Sequence, residues 1–336
     1  MAEAEYRGRR CWRIESDLLS VTVLVEGGHI AAITHKRLAV NPLWTPPWDS
    51  MEPSGCKPSS HPQYGSDSES KLLSGIMGHN LCLDLFGAPS PEEAAAGLTV
   101  HGESSVVEYR ALEAQSGQLR LTAALPLAGL RLERTLRLSG ETLHIDETVR
   151  NESACDRPVA HTQHVTLGPP FLIPGETIID LPATRSRTFE GAFGNLYQRG
   201  ADFLWPQAPA LAGAQRDLRK YPRESNSSGY TTHLMEPTIG EGFFTVTTPS
   251  QGTRLRYTWQ RSDFPWVGIW IENRARQTPP WNGRTTTLGM EFGVSPMPET
   301  RRQMIERGSM FGFPVFRWVP AKTSYSVSYS ATLTAI

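Results

Sequence analysis

Residues 119–149 read LRLTAALPLAGLRLERTLRLSGETLHIDETV. Apolar residues of one parity recur in three successive runs: Leu119, Leu121, Ala123 and Leu125; Leu130, Leu132, Leu136 and Leu138; and Leu143, Ile145 and Val149. Successive side chains of a β-strand point to opposite sides, so this alternation places the apolar residues of each run on one face. Turn residues separate the runs at 126–129 and 139–140. The stretch therefore predicts three antiparallel strands in a meander with one buried face.

Similar signals recur along the rest of the chain. The glycine pair Gly27-Gly28 interrupts an apolar stretch and predicts a hairpin within 21–33. Further strands are expected at 159–167, 243–247, 254–260, 266–272, 285–294 and 325–334. Helices are expected at 91–96, 208–221 and 298–307. The proline-rich stretch 41–70 has no periodicity and predicts a long loop, of the kind that often covers a binding cleft.

These elements predict an all-β fold with few short helices. The chain has 336 residues, including 29 Gly and 26 Pro, which favours many turns between short strands. We expect one domain over residues 1–336, folded as a large antiparallel β-sandwich whose two inner faces form the core.

Charge and composition exclude several function classes. The formal net charge is −1, so no overall field attracts nucleic acid or an anionic membrane. No apolar run is long enough for a transmembrane helix, and no secretory signal is recognisable at the N-terminus. The four cysteines are scattered, as is usual for free thiols in a reducing compartment. We therefore expect a soluble, cytoplasmic protein without a nucleic-acid or membrane partner.

Glu291 is the first candidate for chemistry. In the strand 285–294 the apolar residues share one parity, while Glu291 lies on the other face between Gly289 and Gly293. The missing side chains would leave room for a ligand to approach the carboxylate. The alternative is a solvent-facing glutamate on a strand that happens to contain glycine.

Tryptophans near carboxylates favour a carbohydrate ligand. Trp270 shares a strand face with Glu272, and Trp44, Trp48 and Trp281 lie in predicted loops. Sugar rings present apolar C–H faces to aromatic planes and hydroxyl edges to acids. Tryptophans also simply fill cores, so this pattern alone leaves both interpretations open.

Four histidines flank the meander: His79, His101, His161 and His164. In an extended segment Glu103 would share a face with His101 and could tune that ring. His161 and His164 differ in parity, which argues against a simple metal pair. A metal site built from these histidines stays open as a third hypothesis, although no characteristic ligand spacing is present. Phosphate-binding loops, nucleophile elbows and zinc-protease helices have no matching motif here.

Several short motifs together resemble the aldose 1-epimerases. They occur in the order seen in that family and span most of the chain from Val21 onward: 26–33, 101–103, 149–153, 164–168 and 289–291. The resemblance implies the galactose mutarotase-like β-sandwich, a small-molecule sugar as substrate, and no metal or organic cofactor. Thr231 stands where the family has a sugar-binding Asp, and no counterpart of the family's early Arg is evident, so the resemblance does not imply a particular sugar.

The resemblance also implies roles for individual residues. Glu291 would be the general base at the anomeric hydroxyl, and His164 would protonate the ring oxygen. His101 would bind the sugar, with His79, Glu103, Trp44 and Trp270 as further candidates for substrate binding. A carboxylate and an imidazole on opposite sides of one pocket would favour an epimerase. The alternative is a carbohydrate-binding or sensing protein that uses the same fold without catalysis.

Overall fold

The computed structural model describes residues 3–336, and strands dominate it. The strands are β1 (Ala4–Tyr6), β2 (Arg9–Glu15), β3 (Leu19–Leu24), β4 (Ile30–His35), β5 (His79–Asp84), β6 (Arg110–Gln115), β7 (Gln118–Leu125), β8 (Leu130–Ser139), β9 (Thr142–Asn151), β10 (Arg157–Leu167), β11 (Ile178–Asp180), β12 (Ala183–Thr188), β13 (Asp202–Leu204), β14 (Gln207–Pro209), β15 (Gln215–Asp217), β16 (Ser227–Met235), β17 (Glu241–Thr248), β18 (Thr253–Gln260), β19 (Trp266–Asn273), β20 (Thr286–Gly293), β21 (Ser309–Met310), β22 (Phe313–Pro314), β23 (Arg317–Val319) and β24 (Ser324–Ala335). The helices are α1 (Ser70–Gly75), α2 (Pro91–Ala95) and α3 (Arg301–Arg307), with four short 3-10 segments.

Two large antiparallel sheets form the molecule. The first has 12 strands, ordered β1-β2-β3-β4-β5-β10-β20-β19-β16-β12-β13, with β23 paired to β10. The second has eight strands, ordered β11-β17-β18-β24-β9-β8-β7-β6. Apolar residues from both sheets, such as Val165, Leu288, Leu132 and Leu255, belong to one continuous core. The all-β sandwich predicted from the sequence is confirmed.

The meander and the first hairpin are also confirmed. Strands β7, β8 and β9 are neighbours in the second sheet, and their apolar parity is buried. Strands β3 and β4 pair around Gly27 and Gly28, whose φ angles of 80° and 58° suit residues without a Cβ. Serine and threonine side chains cap α2 and α3 through capping boxes at Ser90 and Thr300.

The prediction of a helix at 208–221 is wrong. This segment forms the two-stranded ribbon β14-β15, in which Ala208 pairs with Arg216. The chain reverses near Gly213, whose φ of 84° is outside the right-handed helical region. Ala208 on β14 and Leu218 directly after β15 are both buried, so two apolar residues of the segment face the core without a helix.

The centre of the first sheet is buried on both faces. Every residue of β5, β19 and β20 is buried, because loops cover the outer face. A second apolar cluster lies there and includes Trp44, Tyr230, Trp270 and Trp281. The long loop predicted at 41–70 contributes to this covering layer through Trp44, Cys56 and Tyr64. Within residues 3–336, no helix is long and apolar enough to cross a membrane.

Candidate active site

Four adjacent strands place four residues in one row on the covered outer face. In the pairing of β5, β10, β20 and β19, Asn80 lies opposite His164, His164 opposite Glu291, and Glu291 opposite Gly268. Directly opposite residues of an antiparallel pair have their side chains on the same face of the sheet. The pairing register therefore brings His164 and Glu291 together.

His164 and Glu291 are in direct contact. The Nε2 atom of His164 is 3.0 Å from Oε1 of Glu291, and both side chains are almost fully buried. The Thr166 hydroxyl lies 3.0 Å from Nδ1 on the other side of the ring. Nε2–H donates to the carboxylate, and Nδ1 accepts from the Thr166 hydroxyl in the neutral ring or donates to it in the protonated ring, so both forms keep the same imidazole plane. The expectation that the two groups face each other across the pocket is wrong, because they are cross-strand neighbours.

The glycines around Glu291 serve the protein's own side chains. A Cβ at position 289 would lie 2.6 Å from Oε1 of Glu291 and 3.0 Å from Cβ of Trp270. A Cβ at Gly268 would overlap the Tyr230 hydroxyl. The sequence-based expectation that this space admits a ligand is thus wrong in detail. Glu291 is only 3% exposed, which also excludes the solvent-facing alternative.

His101 lies beside this pair on a tight turn. Its φ is 68°, and its ring centroid is 4.9 Å from that of His164. Its Nδ1 donates to the carbonyl oxygen of Phe86 at 2.7 Å. Burial, with the nearby His164 as a lesser cause, lowers the pKa of His101 to about 3. The ring is therefore neutral near pH 7, with Nε2 as a hydrogen-bond acceptor.

These groups line a cavity of about 260 Å³. Its polar side chains are Glu69, His101, His164, Arg276 and Glu291. Its aromatic side chains are Phe86, Phe189, Phe193, Tyr230, Trp270 and Trp281. The volume is slightly below the ~300–1,000 Å³ of pockets for drug-sized ligands, so it suits a small ligand. The predicted residues His101, His164, Trp270 and Glu291 thus meet at one site.

Four residues that line the cavity were not predicted as site residues from the sequence: Arg276, Phe86, Phe189 and Phe193. Arg276 lies 4.6 Å above the ring centroid of Trp281 and 3.4 Å from the Glu69 carboxylate. The Glu272 carboxylate fixes this loop by accepting from the backbone N–H groups of Ala275 and Arg276. Burial raises the pKa of Glu272 despite these two hydrogen bonds. The sequence offers one signal for this turn, Glu272 at the end of a strand, and no signal for the phenylalanines.

Three predicted binding residues do not line the cavity. His79 points into the core, where it contacts Gln163 and Tyr257, because its parity on β5 is opposite to that of Asn80. Glu103 begins a 3-10 segment instead of an extended one, and its carboxylate accepts from the Ala128 N–H at 2.8 Å. The interpretation that it tunes His101 is wrong. Trp44 supports the wall from behind by stacking on Trp281, with 6.1 Å between centroids.

The four histidines are divided between two faces of the sheet. His161 points into the sandwich, where Nε2 contacts Glu147 at 2.8 Å and Nδ1 contacts the Tyr325 hydroxyl. His79 lies on that same inner face, while His101 and His164 line the cavity. In the part of the chain that the structure describes, no three His, Cys, Asp or Glu side chains form a metal-binding group.

Comparisons with known proteins identify the architecture. No family model and no curated protein matches the sequence. The structure is similar to a candidate aldose 1-epimerase from Klebsiella pneumoniae, with a TM-score of 0.69 and 14% identity over 97% of this chain and 79% of that one. A galactose mutarotase-like protein from Clostridium acetobutylicum has a TM-score of 0.66 and 13% identity over 100% and 98% of the two chains.

A third solved structure is also similar to this one. A galactose mutarotase-like protein from Lactobacillus casei has a TM-score of 0.63 and 12% identity, covering 96% of this chain and all of that one. At such low identity the likeness concerns the fold, and it agrees with the strand order and the two-sheet core described above. The resemblance seen in the sequence motifs is thus confirmed at the level of architecture: the chain has the galactose mutarotase-like fold.

Proposed function

We propose that this protein binds a free aldose and interconverts its two anomers. The observation that carries the proposal is the contacting pair of Glu291 and His164 on the floor of an aromatic-lined cavity of about 260 Å³. A carboxylate and an imidazole together supply the proton acceptor and the proton donor that opening of a hemiacetal requires. Trp270 and Trp281 supply apolar surfaces suited to the C–H face of a sugar ring.

The contact between the two groups suits this chemistry. The anomeric hydroxyl oxygen and the ring oxygen are bonded to the same carbon, C1, so the groups that act on them need to be neighbours. Glu291 takes the proton of the anomeric hydroxyl, and that O–H electron pair becomes the second C1–O bond of the aldehyde. The bond from C1 to the ring oxygen breaks, and its electron pair takes the Nε2 proton of His164 in its imidazolium form, which leaves a neutral imidazole. Rotation about C1–C2 and the reverse steps give the other anomer and restore both side chains.

His101 has a different role in this scheme. Its Nδ1–H is held by the Phe86 carbonyl, and the neutral ring offers Nε2 as an acceptor. A neutral imidazole in this tautomer orients the sugar by accepting from a hydroxyl, and it does not supply the proton for the ring oxygen. Thr166 is a positioning residue that holds His164 in the donating orientation.

The test is saturation-transfer NMR of anomer exchange over a panel of aldoses. We expect the Glu291→Gln variant to lose about 10²- to 10⁴-fold in rate, because the amide cannot accept the proton. Glu133→Gln, an exposed carboxylate on the other sheet, is the matched control and keeps the wild-type rate. Equal rates for wild type and Glu291→Gln with every responsive sugar would contradict the proposal.

A non-catalytic sugar-binding protein is the second candidate. Both ring nitrogens of His164 are already engaged, by Thr166 and Glu291, and this favours a rigid floor over a mobile proton donor. Under this alternative a sugar binds, but anomer exchange in the wild type is no faster than in buffer. Measuring binding and exchange on the same sample distinguishes the two functions.

A further inference from the structure

Two charged side chains of the cavity have no part in the proposed proton transfer, Arg276 and Glu69. Glu69 directly precedes α1, and Arg276 lies in the loop between β19 and β20, so the pair joins segments that are distant in sequence. Glu69 and the neutral ring of His101 are acceptors, whereas the ring oxygen and the hydroxyl oxygens of a sugar also need donors. Arg276 is the only Lys or Arg among the described residues that line the cavity, so it supplies the permanently charged donor.

The Arg276 guanidinium has N–H groups to spare. Its one hydrogen bond to the described part of the chain runs from Nη1 to Oε1 of Glu69, at 3.4 Å. Nε and Nη2 have no acceptor among residues 3–336, and neither atom is sealed inside the protein. A guanidinium carries five N–H donors in one plane. Arg276 can therefore keep its contact with Glu69 and still donate to a ligand.

Aromatic rings fix the position of this guanidinium. Its Cζ atom lies 4.6 Å from the ring centroid of Trp281, 5.3 Å from that of Phe193 and 6.0 Å from that of Trp270. Aromatic faces attract a cation without offering an oxygen or nitrogen acceptor, so these contacts leave the N–H donors available. The Glu272 carboxylate holds the loop by accepting from the Arg276 backbone N–H at 3.0 Å. The donor is thus positioned before a ligand enters.

The same aromatic wall connects Arg276 to the proton-transfer pair. The ring centroid of Trp270 is 5.9 Å from that of Trp281 and 5.8 Å from that of His164. After burial and the nearby His164, the positive charge of Arg276 is a further cause of the lowered pKa of His101. One indole separates the guanidinium and its Trp281 support from His164, so a single ligand in the cavity can contact both ends.

The ion pair itself contributes little to stability, because its side chains are 30% and 29% exposed and one long contact joins them. We propose that Arg276 is a substrate-binding residue that donates to one or two hydroxyl oxygens of the aldose, and that Glu69 is a positioning residue for Arg276. This inference rests on the proposed function, which takes the ligand to be a free aldose. Two N–H groups of the guanidinium fork can donate to oxygens on adjacent ring carbons, which the point charge of a lysine cannot do.

The test combines one variant with a set of deoxy sugars. Arg276→Met keeps an apolar side chain and removes every donor of the guanidinium. Kd is measured by tryptophan fluorescence for D-galactose, D-glucose and the forms of each that lack the hydroxyl at C2, C3, C4 or C6. For at least one deoxy sugar we expect a loss of at least about tenfold in affinity relative to its parent in the wild type, but at most about threefold in Arg276→Met. If Arg276→Met weakened every parent and deoxy sugar by the same factor, or none of them, the inference would be overturned.

Two further variants separate ligand binding from a structural effect. Arg284→Met changes an exposed arginine of the same loop, outside the cavity, and should keep the wild-type Kd. A loss there as large as that in Arg276→Met would contradict a specific role for Arg276. Glu69→Gln should weaken binding of the parent sugar severalfold in the wild-type background and hardly at all in Arg276→Met, because Glu69 acts through the guanidinium. Equal losses in the two backgrounds would overturn the positioning role of Glu69.

Binding and exchange together separate this inference from the proposed function. If the loss depends on a sugar hydroxyl but no sugar exchanges faster than in buffer, the epimerase function fails and the role of Arg276 stands. If exchange is fast and Arg276→Met binds every sugar as tightly as the wild type, the function stands and the role of Arg276 fails. If no sugar of the panel binds or exchanges, both are overturned.

Discussion

Gly289 determines where the Glu291 carboxylate lies. The carboxylate oxygen nearest His164 occupies the space in which a side chain at 289 would begin. The neighbouring Trp270 closes this space from the next strand. The absence of a Cβ at Gly289 on β20 thus allows the contact between Glu291 and His164 on which the proposed proton transfer depends.

We predict that Gly289→Ala reduces activity more than it reduces stability. The added Cβ displaces the flexible end of Glu291 and breaks its 3.0 Å contact with His164, while the backbone can stay in place. A loss of at least tenfold in kcat is expected, with KM less affected, in NMR exchange assays. Gly240→Ala is the control, since a Cβ there has no neighbour within 4 Å. Full activity in Gly289→Ala would show that the contact is dispensable.

Strand parity and motif order located part of the site in advance. Glu291, His164, His101 and Trp270 were predicted from the sequence, and all four line the cavity. Whether they act as proposed stays a prediction. Glu103 was misplaced because His101 and Gly102 both have positive φ, so the assumed extended spacing does not apply. His79 was misplaced because parity reveals which residues share a face, but not which face meets the ligand.

At the scale of elements, β9 and β10 are joined by a buried polar network. Glu147 on β9 accepts from Arg134, Tyr329 and Gln163, and it contacts His161. Burial alone would raise the pKa of Glu147, but Arg134 and His161 outweigh it and lower the pKa. The network joins the second sheet to the strand that carries His164.

Glu147→Gln should destabilise the protein by about 3–5 kcal/mol, because the Arg134 guanidinium stays buried without a counter-charge. Urea denaturation followed by circular dichroism measures this change. The comparison is Glu133→Gln on β8, whose partner Arg120 is largely exposed, and which should cost less than about 1 kcal/mol. Similar losses in the two variants would argue against a stabilising role for the buried pair.

Elements with strict alternation were predictable, and the ribbon at 207–217 was not. The meander places an apolar residue at nearly every second position, with Arg134 and Glu147 as the exceptions, so local sequence and burial largely agree. In the ribbon the strands are three residues long and pack through a few side chains, so tertiary contacts decide the structure. Of the covering layer over β19 and β20, only the loop 41–70 was predictable, because residues distant in sequence assemble the rest.

For the whole molecule, buried histidines set the response to acid. Burial lowers the pKa values of His29, His79, His101 and His233 to about 3, from the ordinary 6.5. Below pH 6.5 the unfolded chain binds protons that the folded chain does not, so the free energy of unfolding falls as the pH decreases toward 3. Each histidine contributes at most about 1.4 kcal/mol per pH unit, reached in the middle of this window.

We predict that His233→Gln weakens this pH dependence. The slope of unfolding free energy between pH 6.5 and pH 5 should fall by about 1 kcal/mol per pH unit, as measured by urea denaturation at several pH values. His144→Gln replaces an exposed histidine and should leave the slope unchanged. If both variants kept the wild-type slope, His233 would not be a source of acid sensitivity.

The assignment of residues 1–336 to one domain stays a prediction.

The position of β24 affects how the chain can fold during synthesis. This strand lies between β9 and β18 in the middle of the second sheet, although residues 142–151 and 253–260 are made much earlier. Until residues 324–335 leave the ribosome, both neighbours present unpaired edges, which tend to associate with other chains. The nascent protein therefore exposes two strand edges to other chains until β24 is made and the second sheet can close.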